Sequence, residues 1–81
     1  MNVTFRFFSL SKDLAGKKEM DFVVNENATL YSALDSLFQE IPALKQSHSS
    51  TMYAVGVEYA PPESPLHDGD IISVLPPMQG G

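Results

Sequence analysis

The sequence predicts an α+β domain in which one amphipathic helix packs across a mixed β-sheet. Three observations carry that prediction. Residues near the N-terminus alternate apolar and polar at strand periodicity, and a single stretch in the middle repeats apolar residues at helical spacing. Short apolar runs separated by turn-forming residues then fill the second half.

The first strand is read over Val3 to Phe8, where Val3, Phe5 and Phe7 alternate with Thr4, Arg6 and Phe8. Phe8 breaks the polar side of this alternation, so it belongs either to a core edge or to an exposed docking patch, and the latter reading is preferred. Leu10 to Gly16 reads as a turn or a single helical turn closed by Gly16. Glu19 to Val24 alternates again, with Met20, Phe22 and Val24 on one face, so the two strands form a hairpin.

Leu30, Leu34, Leu37, Phe38 and Ile41 then fall on one stripe of a helix. Thr29 can cap it by accepting from a free backbone N–H of the first turn, with Asn27 as the rival cap. Pro42 ends the run or opens a short turn through Leu44, and Lys45 to Thr51, polar and serine-rich, reads as a surface loop.

Tyr53 to Val55 and Val57 to Tyr59 read as strands about a type II′ turn with Gly56 at its first central position. Ala60 to Leu66, with three prolines, is an irregular connection. Asp68-Gly69-Asp70 is a turn signal opening a last strand, Ile71 to Leu75, which Pro76-Pro77 stops because proline cannot donate to a ladder. The division expected is a folded domain over 1–75 and a flexible tail over 76–81.

With 81 residues the chain holds one domain, and 43% apolar and 19% charged residues are ordinary for a folded one. The net charge of −5 and the absence of a basic run argue against nucleic acid as partner. No cysteine is present, which excludes disulfides, zinc-thiolate sites and a thiol nucleophile. The N-terminus lacks a signal-peptide pattern, and no apolar run approaches the roughly 20 residues that span a bilayer. A cytoplasmic protein without membrane attachment is expected. His48 and His67 read as solvated loop residues and Asp68 and Asp70 as turn formers, so no metal site is expected. No phosphate loop, nucleophile elbow or paired-acid motif marks an independent enzyme.

The most informative feature is the Gly80-Gly81 end. Alone, it also fits a frayed terminus or a linker remnant. Its context, an apolar strand, a proline brake and then a short tail, fits a carboxylate meant for delivery into another protein's active site. Glycine has no Cβ and threads a narrow channel in conformations other residues resist. Residues 76–81, if extended, reach about 20 Å, and the two prolines bias the start of that reach. Met78 lies where core packing has no purchase, so it reads as a partner contact as readily as a gap-filler.

These elements resemble the MoaD family, the small subunit of molybdopterin synthase. The resemblance rests on the strand Val3-Thr4-Phe5-Arg6-Phe7-Phe8 followed by Leu14-Ala15-Gly16, on the helix opening Ala28-Thr29-Leu30, and above all on the C-terminal run. There Pro65-Leu66, Asp68-Gly69-Asp70 and the final strand lead into Pro76-Pro77-Met78-Gln79-Gly80-Gly81. It departs from the family pattern at Gly56-Val57, in place of an Asn-Gly-like turn, and at Leu75, in place of a phenylalanine.

The resemblance implies a ubiquitin-like β-grasp fold, four to five strands on one main helix. It also implies a sulfur carrier. A MoeB-like activating enzyme would adenylate the Gly81 carboxylate with ATP, and a persulfide donor would convert it to a thiocarboxylate. Met78, Gln79, Gly80 and Gly81 would insert into partner active sites, while Phe8, Leu75, Pro76 and Pro77 would dock. A MoaE-like large subunit would then pass the sulfur to a cyclic pyranopterin phosphate. The chain itself would bind no cofactor and supply no independent catalytic residue. Carriage for thiamine or another pathway, ubiquitin-like conjugation through Gly81, and a passive module with an incidental Gly-Gly are the other readings.

Overall fold

The computed structural model describes residues 1–76. Its elements are β1 (Asn2–Phe7), α1 (Leu10–Ala15), β2 (Glu19–Val23), α2 (Leu30–Glu40), α3 (Ala43–Gln46), a 3₁₀ turn (His48–Ser50), β3 (Met52–Val55), β4 (Glu58–Tyr59) and β5 (Ile71–Leu75). Five strands form one sheet in the order β2-β1-β5-β3-β4. β1 pairs antiparallel with β2 and parallel with β5, which in turn pairs antiparallel with β3. With α2 covering one face, this is the ubiquitin-like β-grasp.

Alternation decides the core. Val3, Phe5 and Phe7 of β1 are buried with Ile72 and Val74 of β5 and Tyr53 of β3, against Leu30, Ala33, Leu34 and Leu37 of α2. Phe5 is fully enclosed, its ring edge-on to Phe22 at 5.6 Å between centroids. Ala33 joins the helical stripe between the larger residues. α2 begins as its sequence dictates. The Thr29 hydroxyl accepts from the Ser32 N–H at 3.3 Å, and the Ser32 hydroxyl accepts from the Thr29 N–H at 3.0 Å, a reciprocal cap that leaves Asn27 no role there.

Turn chemistry sets the register. Gly16 closes α1 at φ 72° and Gly56 takes φ 65° at the first central position of the β3–β4 hairpin, as a type II′ turn requires. The Asp68-Gly69-Asp70 turn is fastened to the start of β1. Asp68 Oδ1 accepts from the Asn2 N–H at 2.7 Å, the Gly69 N–H donates to Asn2 O at 2.7 Å, and the Thr4 N–H donates to Asp70 O at 3.0 Å. These bonds align β5 beside β1, with Phe5 opposite Ile72 and Phe7 opposite Val74.

Three expectations are corrected. β1 ends at Phe7, so Phe8 breaks the alternation because it lies beyond the strand. The segment Lys45 to Thr51 is not a plain loop. It holds the end of α3 and the 3₁₀ turn, anchored by buried Leu44 and by the Ser47 carbonyl, which accepts from the hydroxyls of Ser50 and Thr51. His48 is not merely solvated: its Nδ1 lies 2.8 Å from the Tyr53 hydroxyl and its ring packs on Phe38.

Tyr53 gives a testable pH dependence. Burial pushes its phenol up to about 12, from an ordinary value near 10. Deprotonation is thus easier in the unfolded chain, so the associated stability is full below about pH 10 and is lost as pH rises through about 12. Urea unfolding between those limits is expected to show a decline on the order of 2 kcal/mol that Tyr53→Phe lacks. Equal declines in both proteins would contradict this origin.

Candidate functional site

The candidate site lies where β5 ends. This strand occupies the middle of the sheet, between β1 and β3, so the chain is delivered to Pro76 from a strand paired on both sides. A site carried on rigid elements is held more accurately than one on a loop. The last ladder position pairs Leu75 with Met52, and the Phe8 N–H donates to Val74 O at 3.2 Å. Phe8 and Leu75 are thus brought to the same end of the sheet, with Phe8 43% exposed, Leu75 half-buried and Pro76 exposed. Pro77, Met78, Gln79, Gly80 and Gly81 lie outside the described residues.

Leu75 does not stand alone. The sheet face turned away from α2 carries, by alternation from the buried set, Leu75 of β5, Met52 and Ala54 of β3, and Tyr59 of β4, with Ser73 separating them from Ile71. Tyr59 is 58% exposed. An apolar strip therefore runs across the open face toward Pro76. Neither Met52 nor Tyr59 stands out in the sequence as a surface residue of this kind. The signal was the period-two spacing of Met52 and Ala54 against Tyr53 and Val55, which becomes legible only with the β3–β5 register.

The remaining candidates are structural. Asp68 and Asp70 spend their carboxylates on the turn, Asp70 Oδ2 accepting from the His67 N–H at 2.8 Å. The His67 ring is 78% exposed, its Nδ1 3.7 Å from Asp70. Among the described residues no group of three His, Cys, Asp or Glu side chains could hold a metal ion. The His48–Tyr53 contact braces the 3₁₀ turn against β3. Also among the described residues, no helix is long and apolar enough to cross a membrane.

The chain is 29% identical over 83 residues to the molybdopterin synthase sulfur carrier subunit of Chlamydomonas reinhardtii, with all of both proteins covered. A solved complex of subunits 1 and 2 of the molybdopterin-converting factor from Helicobacter pylori contains a chain 30% identical to this one. All of both chains are covered, at a TM-score of 0.72. Small archaeal modifier protein 1 of Haloferax volcanii shares the fold at a TM-score of 0.88, with 22% identity over 95% of this chain and 98% of that one. Residues 5–81 match the ThiS family model, so the chain belongs to the ThiS family.

Proposed function

We propose that this chain is the sulfur carrier subunit of molybdopterin synthase, delivering sulfur from a thiocarboxylate at Gly81 to a cyclic pyranopterin phosphate in molybdenum cofactor biosynthesis. The observation that supports this reading most is the extent of the similarity. It covers the whole of a curated sulfur carrier subunit, and the family match runs through Gly80-Gly81 to the last residue.

The chemistry asks little of the folded body. The Gly81 carboxylate attacks the α-phosphorus of ATP held by a MoeB-like enzyme and releases pyrophosphate. A persulfide sulfur then displaces AMP from the acyl-adenylate. A thiol cleaves the resulting acyl disulfide, leaving the thiocarboxylate here and the new disulfide on the donor side. ATP is the activating enzyme's substrate, and this chain holds no cofactor of its own. The body presents the tail, with Met78, Gln79, Gly80 and Gly81 entering the partner and Phe8, Leu75, Pro76 and Pro77 seating against it. The Helicobacter pylori complex of subunits 1 and 2 supports a MoaE-like large subunit as the acceptor. The setting is the cytoplasm, where ATP is available.

The experiment is reconstitution with a MoaE-like subunit and the pterin precursor. Thiocarboxylated chain is expected to yield dithiolene product, and Leu75→Asp is expected to weaken the complex by about 2 kcal/mol or more, because a buried charge without a partner is costly at an interface core. Product formation without the large subunit, or full affinity in Leu75→Asp, contradicts the reading. The likeness to the archaeal modifier concerns the fold, so conjugation through Gly81 becomes the better reading only if no thiocarboxylate forms.

A further inference from the structure

The basic residues do not form a run in the sequence, yet the fold gathers four of them at one corner. Arg6 stands near the end of β1, Lys12 in the last turn of α1, and Lys17 and Lys18 in the connection into β2. Gly16, at φ 72°, turns the chain out of α1, and Lys18 O accepts from the Phe7 N–H at 2.8 Å. Arg6, Phe8, Lys12 and Lys18 line one hollow, and Lys12, Lys17 and Lys18 line the next. The only carboxylates along these hollows are Glu19, whose Oε2 is 3.5 Å from Arg6 Nε, and Asp13. Among the described residues, none of the three lysines has a carboxylate within ion-pair distance.

This corner adjoins the end of β5, since Phe8 both lines the first hollow and donates to Val74 O. A chain of net charge −5 therefore turns a locally positive surface outward beside its exit strand. We propose that this basic corner docks on an acidic surface of the activating enzyme and orients the chain for adenylation, an inference that rests on the sulfur-carrier reading. Adenylation is the step that assembles most negative charge, because an acidic body must bring a carboxylate to a triphosphate. Positive charge at the end of β5 offsets the acidic body's share of that repulsion where the docked surfaces meet, within a Debye length of about 8–10 Å. It also selects, among diffusional encounters, those that arrive tail first.

The test measures association with the activating enzyme, and single-turnover adenylate formation, at increasing salt. The triple variant Lys12→Glu/Lys17→Glu/Lys18→Glu is expected to associate about tenfold or more slowly. Its association should no longer slow as salt is added, and it should keep the wild-type rate of adenylate formation at saturating enzyme. Lys17→Gln/Lys18→Gln, a milder change on an exposed connection, should fall between the two. Lys45→Glu, the basic residue outside the corner, should behave as wild type.

Wild-type association by the triple and the glutamine variants overturns the proposal while leaving the carrier function intact. Slowed association with the large subunit alone overturns the choice of partner. Failure of the unaltered chain to be adenylated by any activating enzyme overturns the carrier reading and this inference together.

Discussion

Phe5→Ala is expected to cost about 3–5 kcal/mol, a large share of the domain's whole stability. The side chain sits at the centre of β1 with no exposed surface, between Met20 and Ile72 across the ladders and edge-on to Phe22. Removing the ring leaves a cavity bounded by two paired strands and α2, none of which can move inward without breaking its own bonds. At about 0.05–0.15 kcal/mol per residue, the 81-residue chain holds only about 4–12 kcal/mol in all. Urea denaturation gives the value directly. Ile72→Val, which removes one methylene from the same layer, is expected to cost about 1 kcal/mol. A loss below about 1 kcal/mol in Phe5→Ala would mean that the core does not close around this ring.

Deleting Gly81 is expected to reduce adenylation by about 10²-fold or more while leaving thermal stability unchanged. Loss of one residue withdraws the terminal carboxylate by about 3.5 Å, while the docked body stays where it is. The carboxylate then falls short of the α-phosphorus, and the reaction loses the alignment that makes it fast. Gly80→Val should act through a different cause, since its branched Cβ resists both a narrow channel and the conformations glycine allows there. Unchanged adenylation in the deletion variant would mean that the chain end is not the reacting group. Unequal unfolding midpoints would mean that the end contributes to the body.

Much of this fold is legible in the sequence because its signals are local. β1 and β2 alternate, α2 carries its stripe and its Thr29–Ser32 cap, and Gly16, Gly56 and Gly69 all take positive φ where the chain must turn. Of the helical turns at 43–50 the sequence offers only a short turn through Leu44 after Pro42, and the rest escapes such reading. They are four- and three-residue pieces held by Leu44 and by serine and threonine hydroxyls, with no periodicity to betray them. His48 looks solvated until Tyr53 and Phe38, five and ten residues away, are brought beside it. The apolar strip needs the pairing of Met52 with Leu75 and of Ala54 with Tyr59. The basic corner needs the hairpin that returns Lys18 to Phe7. What sequence withholds here is the product of long-range register, and it falls on the surfaces that meet partners.

The most direct test of the account is the intact mass of the purified chain after incubation with ATP, a MoeB-like activating enzyme and a persulfide donor. The account predicts a gain equal to the exchange of one oxygen for one sulfur, located at the C-terminus and abolished by deleting Gly81. An unchanged mass with an activating enzyme that demonstrably adenylates the chain, or a gain that survives loss of Gly81, would contradict it.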